Sequence, residues 1–164
     1  MDFVLLTPFA LHTVLVFFDE AYHRERGLRA WESWGHPVDV ISVLVCLLLV
    51  NFVPYSRSAL TAYLILSALS CACITKDEFV HAKLCKPGEH WIHAVLFILH
   101  PLMLIVVGLA WPLAHQQPGL IDQLTTRPWL WRWFLSGYLI VTIIVLFYQV
   151  IYWNFVRKKE QVSA

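Results

Sequence analysis

The segment 17–36, FFDEAYHRERGLRAWESWGH, holds Asp19-Glu20-x-x-His23 followed by Glu32-x-x-x-His36. The segment 75–93, TKDEFVHAKLCKPGEHWIH, holds Asp77-Glu78-x-x-His81 followed by Glu89-x-x-x-His93. Residues three or four apart share a helix face, so each motif aims a carboxylate and an imidazole the same way. Carboxylate oxygen and imidazole nitrogen together suit first-row metals, iron or manganese foremost and zinc less exclusively. Brought to one place, the four glutamates would repel one another, and a metal ion is the cation best able to neutralise them. A solvated loop explains any one of these motifs. It does not explain the same order and spacing twice, with acids and imidazoles matched while their flanks differ.

The elements that must position these residues are apolar. Apolar residues make up 59% of the 164-residue chain and charged residues only 14%, too few for a soluble domain of this size. Apolar stretches at 3–18, 38–53, 59–74, 92–113 and 129–153 each suffice, with a turn from their flanks, to cross a hydrocarbon core of roughly 30 Å. The expected fold is therefore all-α: a multi-pass membrane helical bundle forming a single transmembrane domain over 1–164. The first stretch lacks a basic flank and a small-residue cleavage site, which predicts a retained helix rather than a signal peptide. Ionisable groups at the margin of a bilayer are costly, and so tend to be there for function.

Lys and Arg counts orient the bundle. Arg24, Arg26, Arg29, Lys76, Lys83, Lys86, Arg157, Lys158 and Lys159 fall on one side, against Arg57, Arg127 and Arg132 on the other. This predicts cytoplasmic motif loops and C-terminus, with the N-terminus outside. No basic patch large enough for nucleic acid is present. The RKKE tail reads as a topology anchor at the lipid surface. Cys46, Cys71, Cys73 and Cys85 read as ordinary buried cysteines. Trp129, Trp131 and Trp133 at one end of the last stretch, and Tyr152 and Trp153 at the other, read as interfacial belts.

Aligning Asp19 with Asp77 superposes Glu20 on Glu78, His23 on His81, Glu32 on Glu89 and His36 on His93, with one residue deleted. The chain is thus a helical hairpin used twice, at about 3–53 and about 59–113, plus an extra helix at about 129–155. Both hairpins cross in the same sense, a parallel internal repeat that brings all the motifs to one membrane face. Pro87-Gly88 opens the fourth helix. His36-Pro37 is expected to leave Glu32 on a separate short turn, and His100-Pro101 and Pro112 to kink the fourth helix. The fifth helix carries no acidic motif and is expected to pack on the bundle or to mediate homo-oligomers.

In ligand order the chain resembles the ferritin-like di-iron carboxylate proteins, whose four-helix sites take Glu from two helices and Glu-x-x-His from the other two. The matching residues are Glu20-x-x-His23, Glu32, Glu78-x-x-His81 and Glu89. The resemblance covers the first four helices. His36 and His93 are additional imidazoles, and His90-x-x-His93 is a partial echo of the His boxes of membrane desaturases and hydroxylases. The full candidate metal set is Glu20, His23, Glu32, His36, Glu78, His81, Glu89 and His93, with Glu20, Glu32, Glu78 and Glu89 as the catalytic carboxylates. His90 reads as a neighbour of the site or a surface residue. His100, one heptad past His93, reads as a further ligand or pocket wall. Asp39 is placed to orient an imidazole. Asp19 and Asp77 read as supporting acids that pair with Arg24 or Lys83. His12 and His115 receive no role.

These residues imply two iron ions, or alternatively Mn or Zn, in an O2-dependent oxidoreductase that hydroxylates or desaturates a hydrophobic, lipid-like substrate at the cytoplasmic face. No flavin, nicotinamide or haem motif is visible, so electrons are expected from a separate cytoplasmic donor. Two other classes fit the same residues: a Zn- or Mn-dependent hydrolase or isomerase of lipid head groups, and a metal transporter, sensor or assembly factor without catalysis. Polar residues are sparse in the outer halves of the spans, which favours a one-sided site over a permeation path.

Overall fold

The computed structural model describes residues 2–77, 85–119, 125 and 127–157, and the described residues contain helices and no strand. The helices are α1 (Asp2–Arg26), α2 (Ala30–Phe52), α3 (Arg57–Ile74), α4 (Pro87–Ala114) and α5 (Pro128–Ile151). A 3₁₀ turn, Thr75–Asp77, follows α3, and a π turn, Tyr152–Val156, extends α5. All five helices are long and apolar enough to cross a membrane, the makeup of a multi-pass membrane protein.

Local chemistry sets the helix ends. Gly27, at φ 79°, takes the left-handed conformation that stops α1, and its N–H caps the His23 carbonyl at 2.7 Å. Two residues later the Glu32 carboxylate accepts the Arg29 N–H at 3.0 Å, opening α2. Ser56 caps α3 through the Ala59 N–H, and Pro87 and Pro128 sit in the first turns of α4 and α5.

The expected break at Pro37 does not occur, and Glu32 and His36 lie on the same continuous helix. Proline cannot donate to the carbonyl four residues back, which here belongs to Ser33. Asn154 of the π turn supplies the donor instead, its Nδ2 lying 3.1 Å from the Ser33 oxygen. A side chain from the fifth helix thus repairs the ladder of the second. Likewise α4 runs unbroken through Pro101 and Pro112.

The helices pack pairwise. Helix α1 packs on α4 and α2 on α3, while α2 and α4 meet in the middle. The first two helices and the next two therefore pack on one another, and α5 packs against both α2 and α4. Away from the motif end, Phe9, Leu47, Val50, Met103, Val107, Trp111 and Leu135 form a close-packed core. Lipid is as apolar as these side chains, so close packing and inter-helix hydrogen bonds must hold the helices together. Tyr63 donates to the Leu104 carbonyl at 2.6 Å, and a Cβ at Gly108 would lie 2.9 Å from the Tyr63 ring. Glycine is what permits α3 and α4 to approach there.

Phe3, Phe17, Leu64, Ile98, Ile105 and Phe147 project outward as a lipid-facing coat, and Trp129 and Trp133 are exposed as belt residues would be. Two aromatic residues of the belts turn inward instead. Trp131 is fully buried and donates to Asp2, and Trp153 is buried and donates to Glu20. The cysteines among the described residues are free thiols.

Candidate metal centre

Asp19 and His23 stand one turn apart on α1, and Glu89 and His93 one turn apart on α4. The helices are antiparallel neighbours, so the pairs meet as rungs: His23 opposite Glu89 and Asp19 opposite His93. His93 Nε2 lies 2.6 Å from Asp19 Oδ1, His23 Nδ1 3.6 Å from Asp19 Oδ2, and His23 Nε2 3.7 Å from Glu89 Oε1. One donor atom from each of the four residues falls within 4.8 Å of all the others. Donors around an ion bound at about 2.0–2.2 Å stand roughly 3–4 Å apart, so a small contraction would form a coordination shell. His23, Glu89 and His93 are buried and Asp19 nearly so.

Glu32 and His36 border this group from α2. The His36 ring centroid is 4.8 Å from that of His23. Glu32, like Glu89, is 1% exposed, and one guanidinium serves both. Arg26 Nη1 and Nη2 donate to the two Glu32 oxygens at 3.2 and 3.1 Å, and Nη2 also donates to Glu89 Oε1 at 3.1 Å. Such charge-assisted bonds are among the stronger polar contacts a protein makes. Part of the neutralising charge that the sequence assigned to metal is therefore carried by an arginine.

Glu20 faces elsewhere. Its carboxylate accepts from the Tyr148 hydroxyl, from Trp153 Nε1 at 3.3 Å and from Arg24 Nε at 3.2 Å. Arg24 also lies over the Tyr148 and Tyr152 rings and donates to the Tyr148 oxygen at 2.8 Å. The Arg24 partner is thus Glu20 rather than Asp19, and Asp19 is the acid of this motif that joins the cluster. Asp39 pairs with Lys76 at 2.5 Å. His100 is buried two turns deeper, its Nε2 2.9 Å from the Ser70 hydroxyl, which in turn lies 2.7 Å from Ser42 Oγ. His90 is half-buried near the start of α4, outside the four-residue group. Asp77 closes the 3₁₀ turn, and Glu78 and His81 lie outside the described residues.

Cys85 sits beside Glu89. Burial, then its hydrogen bond to that carboxylate, pushes the thiol up to about 12, so it remains a neutral donor. Exposed Lys86 pairs with Glu25 at 2.7 Å, which raises the ammonium above its ordinary value.

Arg26, Tyr148, Trp153 and Asn154 are the polar contributors that motif reading passed over. A signal for Arg26 was present, since Asp19, His23 and Arg26 follow a 4-then-3 spacing along one helix face. The polar residues of YQVIYWNF, closing an otherwise apolar helix, were a comparable signal for the other three. Compared with protein-family models, curated proteins and solved structures, the chain matches none.

Proposed function

We propose that this chain is an integral-membrane, metal-dependent oxidoreductase that uses O2 to hydroxylate or desaturate a hydrophobic, lipid-like substrate. The observation that carries the reading is the convergence of Asp19, His23, Glu89 and His93, two carboxylates and two imidazoles, at one end of a lipid-embedded bundle. This donor set suits Fe(II) or Mn(II), and zinc as well. In a hydroxylation, one oxygen atom enters a substrate C–H bond and the other leaves as water. Two electrons and two protons are required, and they come from a separate donor. The Lys/Arg bias supports a cytoplasmic position for the site, within reach of such a donor.

The duplication supplies a second metal position. Asp77 and His81 are the sequence counterparts of Asp19 and His23, and Glu32 and His36 those of Glu89 and His93. The second ion would take Glu32 and His36 from α2 and the Asp77/His81 pair from the other repeat. Packing of α2 on α3, the counterpart of α1 on α4, supports this assignment. On the far side of the bundle the apolar core around Leu47, Val107 and Trp111 supports a one-sided centre over a transport path.

The test is purification in detergent, elemental analysis, and O2 consumption upon chemical reduction. Bound iron with O2 uptake that disappears in His93→Ala supports the reading. A single tightly held zinc, with no O2 uptake, would replace it with the head-group hydrolase. Full retention of metal in both His23→Ala and His93→Ala would remove the centre from this position.

A further inference from the structure

Glu32 and Glu89 are equivalent residues of the two repeats, and Arg26 joins them. Its guanidinium therefore lies between the four-residue cluster and the Glu32/His36 pair. It also shares Glu89 Oε1 with the cluster, because that oxygen is the one 3.7 Å from His23 Nε2. Among the described residues, Arg26 Nε is buried and makes no hydrogen bond, so they satisfy this guanidinium incompletely. A side chain chosen only as a structural anchor would be expected to have all its donors used.

The charges decide what the cluster accommodates. Among the described side chains, Asp19, Glu32 and Glu89 bring three carboxylates against the one guanidinium of Arg26. One divalent ion restores neutrality. A second divalent ion, bound by Glu32 and His36, would face the guanidinium across a shared carboxylate, where two cations repel strongly in a medium of low dielectric. We infer that Arg26 is a resident counter-cation that limits the centre to one divalent ion until it swings away, and so governs loading of the second position. The side chain keeps 19% of its surface exposed and lies at the last turn of α1, beside Gly27, which leaves it a short route to solvent.

This inference rests on the metal reading, and its test separates the two. Mn(II) binding is measured by equilibrium dialysis and elemental analysis in wild type, Arg26→Gln, Arg26→Lys and His93→Ala. Wild type and Arg26→Lys should each hold one tight ion, and Arg26→Gln two, the second bound at least tenfold tighter than in wild type. His93→Ala should lose the first ion. If His93→Ala binds as wild type does, the metal position is wrong; if His93→Ala loses the ion but Arg26→Gln gains none, only the role of Arg26 is wrong. Two equally tight ions in wild type would also overturn it. A readout on the unaltered chain guards against a misfolded variant: phenylglyoxal labelling of Arg26, mapped by mass spectrometry, should accelerate as Mn(II) rises beyond one equivalent. Unchanged labelling across that range would overturn the inference.

Discussion

The α1–α4 and α2–α3 seams join helices in matching positions of the two hairpins, yet their polar groups differ in kind. Along α1–α4, imidazoles face carboxylates, all of them groups able to ligate a metal: His23 meets Glu89, and Asp19 hydrogen-bonds His93. Along α2–α3, charge meets countercharge and hydroxyl meets hydroxyl: Lys76 holds Asp39, and Ser70 bonds Ser42. Both pairs of the second seam are complementary as they stand. The first seam gathers four carboxylate and imidazole ligand atoms within 4.8 Å of one another, and among the described residues the second shows no such group.

The largest effects should come from breaking the first seam. Asp19→Ala or His93→Ala is expected to lower metal affinity by more than about 100-fold, exceeding the loss typical of a supporting residue, as measured by competition with a chelating dye. Glu20→Ala should do something different in kind, although Glu20 adjoins Asp19. It removes the acceptor for Tyr148, Trp153 and Arg24, so the chain should lose about 2–3 kcal/mol of stability while keeping its metal. Thermal unfolding in detergent, read beside metal content, decides it; metal loss equal to that of Asp19→Ala would return Glu20 to the ligand set.

Breaking the second seam is a milder perturbation. Lys76→Met leaves Asp39 unpaired by lysine in a partly buried setting and should cost about 1–2 kcal/mol, between the values for exposed and buried pairs. Affinity at the α1–α4 cluster should not change, and a drop there would show that the seams are coupled. The smallest effect concerns Cys85. A thiol held near 12 stays protonated at neutral pH, so its alkylation should be slow at pH 7–8 and rise about tenfold per pH unit until the pH nears 12. Rapid labelling at pH 7 would mean that Glu89 no longer faces it.

Much of this organisation was legible in the residues. Hydropathy alone located the five spans, and the acidic motifs pointed to the end where the polar cluster lies. What could not be read was which of two adjacent acids would face inward. Asp19 and Glu20 lie four and three residues before His23, and both spacings put them near its face. The choice depends on where α4 lies, and that is a property of packing. Trp131 and Trp153 were read as belt residues for the same reason, since an indole at a helix end is equally suited to the interface or to a buried acceptor such as Asp2 or Glu20. The role of Asn154 needed a carbonyl freed by Pro37 on a helix more than a hundred residues away.

Those distant contacts have a temporal side. Glu20 is bonded to a tyrosine 128 residues further along the chain, and Ser33 to an asparagine 121 residues further along. At a translation rate of about 5–20 residues per second, the first helix exists for roughly 6–26 s before its partners emerge. Throughout that interval the Glu20 carboxylate lacks its fifth-helix donors, and the second helix carries its proline without the borrowed asparagine. Until the fifth helix is made, these polar contacts cannot form. The fifth helix thus works as a clasp, bonding the first helix at Glu20 and the second at Ser33.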